Sequence, residues 1–141
     1  MTYPRMAGLR MTAKPPMVVV IDENPAARSL YQRSCMWLDL ELKAFSSPEE
    51  SLVFLANHAV DLVFLDIIMR DMDGFLWLRK LRDMQRHQYT AVVIVTSKDY
   101  AQDRGLAEQF GSREYWIKPL RSQEIRQIIS RHLSRHSSES C

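Results

Sequence analysis

Glycine is scarce in this chain: 4 of 141 residues. That count leaves no Gly-rich loop whose backbone N–H groups could cradle a phosphate. Cysteine is scarcer still. Cys35 and Cys141 lie far apart in the sequence, which argues against a disulfide framework and a thiolate metal site, so a reducing cytosol is the expected compartment. No apolar run approaches the length of a membrane span. The basic N-terminus has no apolar core, so no secretory signal is expected there. The four histidines (His58, His87, His132, His136) are scattered. His132 and His136 have the i, i+4 spacing of a metal pair, but a solvated, frayed last helical turn is the preferred reading.

A basic surface stripe is also missing. The net charge of +2 hides an uneven distribution: residues 1–16 carry +3, residues 131–141 carry +1, and the body between them carries −2. The body therefore lacks the electrostatic footprint of a nucleic-acid binder. What remains is an ordinary composition, 46% hydrophobic and 26% charged, at a length suited to one domain with a proper core.

The stretch Val60–Gly74, VDLVFLDIIMRDMDG, organises the rest. Its apolar run suits a strand buried on both faces and stops at Asp66, whose carboxylate would stand at the C-terminal edge of a parallel sheet. Ligands bind at that edge in open α/β sheets; a mere strand-ending turn residue is the alternative. Two further runs, Met17–Ile21 and Thr90–Thr96, read as buried strands. Leu40, Leu42 and Ala44 alternate with charged residues as in a half-exposed edge strand, and Glu114–Ile117 makes a short last strand.

Helices fill the gaps. Asn24-Pro25 opens the first, with Leu30, Tyr31, Ser34, Trp37 and Leu38 at helical spacing. Ser47-Pro48-Glu49-Glu50 has capping-box spacing and opens the second, which runs to about His58 with Leu52, Val53, Phe54 and Leu55 on its apolar side. Asp73-Gly74 supplies a turn through glycine's tolerance of positive φ, followed by a third helix over Phe75–Met84 with Phe75, Leu78, Leu81 and Arg82 on one side. Ser97–Phe110 holds the fourth, closed by Gly111. The fifth spans Gln123 to about Leu133. Residues 1–16 are expected to be a mobile arm, 17–133 the folded domain and 134–141 a disordered tail. The strand–helix alternation argues for a five-stranded parallel sheet with helices on both faces.

In such a sheet the strand ends converge. Asp22-Glu23, Asp66, Thr96-Ser97 and Lys118-Pro119 all fall on one edge. Clustered carboxylates stay ionised only beside a cation. Lys118 offsets one charge, and an all-oxygen set favours Mg²⁺, which keeps waters and takes few carboxylates plus phosphate. An ionised carboxylate is already a nucleophile, and phosphoryl transfer mainly needs positioning and charge neutralisation. Individually each residue is a common turn or helix-preface residue; their joint occurrence at matched strand ends points to a phosphate site.

Four blocks in order carry a resemblance: the acidic pair in VVVIDENP, the D-x-x-M-x-x-x-D-G block in LDIIMRDMDG, the strand-end hydroxyl in VIVTS, and the aromatic and lysine in YWIKP. From Met17 to Leu133 the chain resembles the receiver domain of two-component response regulators, of the CheY-like superfamily. The resemblance implies a doubly wound, flavodoxin-like fold with strand order 2-1-3-4-5. It implies that Asp66 accepts phosphate from a histidine kinase or phosphotransfer protein. It implies Mg²⁺ (or Mn²⁺) held by Asp22 or Glu23, by Asp66 and by the backbone carbonyl of Ile68. Lys118 would contact the phosphoryl group, Thr96 would move to hydrogen-bond it, and Tyr115 would turn inward behind it. That shift would reshape the surface of the fourth helix, fifth strand and fifth helix, acting on a downstream protein or a homodimer partner, with no direct contact to nucleic acid or membrane.

Two positions depart from the pattern. The family usually has proline after the methionine of the central block, where this chain has Arg70; and Arg121 stands where an acidic helix cap is usual, so Ser122 is the expected cap. Ile68 and Lys98 flank the acceptor and are expected to tune hydrolysis of the acyl phosphate. The leading reading is a phospho-acceptor switch, not an enzyme beyond self-catalysed phosphorylation and dephosphorylation. The alternatives are a receiver-like scaffold that is never phosphorylated, and the receiver fragment of a longer regulator with a DNA-binding or enzymatic output. A small metal-dependent phosphatase or a flavodoxin-like cofactor binder ranks last.

Overall fold

The computed structural model describes residues 14–140, with side chains described through Leu133. The expected arm therefore lies outside the described residues up to residue 13, as does Cys141. Five strands and five helices alternate: β1 (Met17–Ile21), α1 (Pro25–Ser34), β2 (Glu41–Phe45), α2 (Pro48–Asn57), β3 (Leu62–Leu65), α3 (Gly74–Asp83), β4 (Ala91–Thr96), α4 (Ala101–Gln109), β5 (Glu114–Ile117) and α5 (Ser122–Ser140). A single 3₁₀ turn, Gln85–His87, follows α3. The sheet order is β2-β1-β3-β4-β5 and every pairing is parallel, as expected.

The pleat divides each central strand between two cores. Val18, Val20, Leu62, Phe64, Val93 and Val95 face α1 and α5, meeting Tyr31, Ile125 and Ile128. Val19, Ile21, Val63, Leu65, Val92 and Ile94 face α2, α3 and α4, meeting Leu55, Trp77, Leu78 and Ala107. A strand with helices on both sides has no polar face, which explains the unbroken apolar runs. Edge strand β2 alternates instead: Leu42 and Ala44 are half-buried between exposed Glu41 and Lys43.

The expected caps of α1 and α2 are present. Asn24 Oδ1 accepts from the N–H groups of Ala26 and Ala27, and Ser47 Oγ accepts from Glu50. Gly111 closes α4 at φ 77°, with Gly111 N–H on Glu108 O at 3.0 Å and Ser112 N–H on Ala107 O at 2.9 Å. These are the two bonds of a Schellman motif.

Several expectations need correction. Helix α1 ends at Ser34, and Trp37 beyond it is 90% exposed rather than part of the helical face. Val53 points to solvent; Pro48, Ser51 and Leu55 are the buried positions of α2. Helix α4 starts at Ala101, not Ser97, because residues 97–100 form the loop leaving the sheet edge, and Tyr100 gives no side-chain cap. Ser122 is the first residue of α5 rather than its cap; the Arg121 N–H is taken by Glu124 Oε1 at 2.9 Å. The backbone of α5 stays helical to Ser140, past the expected end at about Leu133. No glycine or proline intervenes there to stop it. His132 is buried, not solvated, with Nε2 2.7 Å from Glu114 Oε2.

Gly74 does not supply a positive-φ turn. It opens α3 behind the Asp73 cap, and its backbone passes so close to Ile67 that a Cβ would sit 2.3 Å from the Ile67 Cα. Gly74→Ala is expected to cost about 2 kcal/mol or more through this overlap, read from the denaturation midpoint.

Two buried polar anchors bind α2 to α3 and to the loop before β4. Trp77 Nε1 donates to Ser51 Oγ at 2.9 Å. His87, fully buried, lies 2.7 Å from Leu55 O through Nε2 and 2.8 Å from Thr90 Oγ1 through Nδ1. A carbonyl only accepts, so Nε2 carries the proton and Nδ1 accepts from the Thr90 hydroxyl. Burial pushes the His87 pKa down, so the unfolded chain takes up a proton that the folded chain refuses. Stability contributed by His87 is then complete above the unfolded pKa of about 6.5 and is lost as pH falls below it, by at most about 1.4 kcal/mol per pH unit. Melting curves between pH 7.5 and 5.5 should show this slope in the wild type and a shallower one in His87→Gln.

Candidate functional site at the carboxyl edge of the sheet

Strand register builds the site. Ile21 pairs with Leu65 across β1 and β3, so Asp22 and Asp66 follow side by side as the strands end. Thr96 pairs with Ile117 across β4 and β5, and the Lys118 N–H bonds to Thr96 O at 2.8 Å. Lys118 therefore leaves the sheet one residue beyond Thr96 and reaches back over the edge. Its ammonium lies 2.8 Å from Asp22 Oδ2 and 2.9 Å from Asp66 Oδ2. The remaining carboxylate oxygens are held by main chain: Asp22 Oδ1 accepts from Asn24 N–H and Asp66 Oδ1 from Ile68 N–H, each at 2.9 Å.

Asp22 is almost fully buried, and the side chain of Asp66 keeps 11% of its surface and that of Lys118 22%. The Asp66 carboxylate is therefore recessed but not sealed. Burial pushes the Asp66 pKa up, against the Ile68 N–H and the Lys118 ammonium that favour its charged form. Burial works against the Lys118 charge, but the hydrogen bonds that it donates to both aspartates outweigh it and raise its pKa. Two carboxyl groups thus share one ammonium, and their hydrogen bonds hold that lysine protonated.

Glu23 does not join the other two acids. Its Oε2 accepts from the Arg70 N–H at 2.9 Å, across the cleft between the β1–α1 and β3–α3 loops. Among the described residues no three His, Cys, Asp or Glu side chains gather as a metal cluster, so the expected convergence of three carboxylates is corrected to two. Thr96 is fully buried, and its Oγ1 lies 3.5 Å from the Lys98 N–H. Tyr115 is half-buried; its hydroxyl donates to Lys98 O at 3.2 Å, and the Arg104 guanidinium stacks over its ring at 4.6 Å. Thr96 and Tyr115 thus meet through the Lys98 backbone. Lys98, Ile68 and Arg70 have exposed side chains around the cleft.

Two supporting residues escaped the sequence reading. Arg28 Nη1 donates to the carbonyls of Asp22 and Glu23 at 2.9 and 3.0 Å, pinning the β1–α1 loop; only its position one turn into α1 hinted at this. Arg82, read from its spacing only as sharing one side of α3 with Phe75, Leu78 and Leu81, gives its guanidinium to four carbonyls: Phe110, His87, Thr90 and Gly111. The His132–His136 pair is described only in part. His132 shares Glu114 with Arg131 and Trp116, and the His136 side chain lies outside the described residues.

The edge thus gathers one ammonium and two carboxyl groups, each carboxyl oriented by a main-chain N–H. Comparison with known proteins agrees with the geometry. The response regulator receiver domain model matches residues 18–130. Response regulator Rre1 of Synechocystis sp. is 29% identical over 129 residues, covering 91% of this chain and 56% of that protein. The chain spans between 27% and 56% of the first four curated relatives it matches. Among solved structures, a CheY-like receiver domain protein from Methanospirillum hungatei JF-1 superposes with a TM-score of 0.82 at 18% identity, covering 89% of this chain and 99% of that one. The receiver domain of sensor histidine kinase PA1611 from Pseudomonas aeruginosa PAO1, with a magnesium ion coordinated in its active-site cleft, superposes with a TM-score of 0.75 at 17% identity over 86% of this chain and 99% of that one. The chain belongs to the response regulator receiver domain family of two-component signalling.

Proposed function

We propose that this receiver domain is a phospho-acceptor switch in which Asp66 takes a phosphoryl group from a histidine kinase or phosphotransfer protein. The observation that carries the proposal is the Lys118 ammonium shared between Asp22 and Asp66 at the open edge of the sheet. In the transfer, an Asp66 carboxylate oxygen forms the new bond to phosphorus as the bond from phosphorus to the donor's imidazole nitrogen breaks. The electron pair returns to the imidazole. Lys118 pairs with the incoming phosphoryl oxygens, and the Ile68 N–H keeps the acceptor carboxylate oriented.

The donor set fits Mg²⁺. It is all oxygen: the Asp22 and Asp66 carboxylates, with the Ile68 backbone carbonyl on the same loop. Mg²⁺ is satisfied by one or two carboxylates plus waters and phosphate, so the absence of Glu23 from the pair is no obstacle. The ion, or Mn²⁺ in its place, would supply neutralisation of the phosphoryl charge. Support by analogy comes from the magnesium-bound neighbour, which shares the fold.

Downstream, Thr96 and Tyr115 both touch the Lys98 backbone. A phosphoryl group drawing the Thr96 hydroxyl would loosen that shared contact and free Tyr115 to turn inward. The face of α4, β5 and α5 then changes shape, a population shift biased by phosphate. Its partner is a downstream protein or a second copy of the domain, in the cytoplasm. No helix among the described residues is long and apolar enough to cross a membrane. The output of the whole protein is that of whatever chain carries this domain.

Incubation with acetyl phosphate and MgCl₂ should add one phosphoryl group by intact mass. Asp66→Asn and chelation with EDTA should each abolish it; uptake by Asp66→Asn would refute the assignment. Asp66→Asn should also raise thermal stability by about 1 kcal/mol, because it relieves the excess buried charge, and should shrink the stabilisation that MgCl₂ gives the wild type. Ile68, 45% exposed beside the acceptor, is expected to hinder water. Ile68→Asn should change the dephosphorylation rate several-fold in a phosphate-release assay, and an unchanged rate would remove Ile68 from the tuning set.

A further inference from the structure

Arg70 occupies the position where the family pattern has proline, and a proline has no N–H to donate. Here that N–H is in use, 2.9 Å from Glu23 Oε2. The guanidinium adds a looser contact, Nε to Glu23 Oε1 at 3.7 Å, from a side chain 93% exposed. An exposed ion pair of that kind contributes little. The main-chain bond is the firm part, because an N–H fixed in the backbone cannot swing away as a long side chain can. The carboxylate it holds is largely shielded, with 21% of its surface exposed. The result is a link between the β1–α1 and β3–α3 loops that turns Glu23 toward residue 70, while Asp22 and Asp66 alone close on Lys118.

We infer that Arg70 is a positioning residue that sets the divalent-cation affinity of the Asp22–Asp66 site by withholding the Glu23 carboxylate from it. The inference rests on the reading of this edge as a Mg²⁺ site. Recruiting Glu23 to a bound ion costs the Arg70 hydrogen bond; leaving Glu23 in place forgoes a third negative charge near the ion. Either way the ion is held less tightly than three free carboxylates would hold it. The same link makes the two loops move together, so that ion entry is coupled to the position of the segment carrying Ile68.

The test is isothermal titration of MgCl₂ into four proteins: wild type, Arg70→Ala, Arg70→Pro, and Arg70→Pro combined with Glu23→Gln. Arg70→Ala keeps the N–H and should leave Glu23 tied, with a Kd close to that of the wild type. Arg70→Pro removes the N–H and should bind Mg²⁺ about two- to fivefold tighter, the equivalent of one exposed charge-assisted hydrogen bond. The gain should vanish in the double variant. A gain that is absent, or that survives Glu23→Gln, overturns the inference while leaving the Mg²⁺ site standing. Absence of Mg²⁺ binding in every variant overturns both. A second measurement stands should the proline variant fail to fold. The Arg70 amide resonance in a ¹H–¹⁵N spectrum of the wild type should move upfield on Glu23→Gln, and an unmoved resonance overturns the link.

Discussion

One ammonium shared by two buried carboxylates constrains the rest of this molecule. Lys118 can serve Asp22 and Asp66 together only because β1 and β3 end in step and because β5 ends level with Thr96, leaving Lys118 as the next residue beyond the sheet. A one-residue slip of any of these strands would turn the whole apolar set of that strand to the opposite face. The two cores of valine, isoleucine and leucine therefore lock the register that places the charges. The dependence also runs the other way. Two aspartates buried side by side without Lys118 would repel each other in a poorly solvated cleft, so removing the one cation of this cluster is strongly destabilising. Packing places the site, and the site in turn charges the packing with a constraint.

The segments read most directly from the sequence were those whose neighbours in space are also neighbours in pattern. Unbroken apolar runs announced β1, β3 and β4 because helices cover both faces of these strands. The alternation at Leu42 and Ala44 announced an edge strand, and the Asn24 and Ser47 caps marked helix starts through local geometry alone. What escaped was set by contacts distant in sequence. Nothing near Trp77 or His87 foretold that one would bond to Ser51 and the other to Leu55. Arg82 showed only a helical spacing; its four carbonyl partners lie outside α3, at residues 87, 90, 110 and 111. Val53 and Trp37 are apolar residues at plausible helical positions that the fold leaves in water.

The cleft shows the same division. Asp22, Asp66 and Lys118 could be aligned from strand ends alone, since a parallel sheet gathers those ends on one edge. Glu23 could not, because its direction depends on an N–H contributed by the facing loop. A neighbouring acid in sequence is a poor guide to which carboxylate faces the cleft when a backbone donor competes for it. The β1–α1 loop is itself shaped from below by Arg28, which ties the carbonyls of both acids, so the cleft has a rigid floor and a linked rim.

Arg82 gives helix α4 unequal ends. The guanidinium grips Phe110 O and Gly111 O just past the helix C-terminus, while the N-terminal end beside the cleft has no side-chain cap. The uncapped tip is tied instead by side chains, through the Asp99–Arg104 ion pair and the stacking of Arg104 on Tyr115. Tyr115 in turn holds the Lys98 carbonyl, so the near end of the helix is joined to the cleft while the far end is joined to α3.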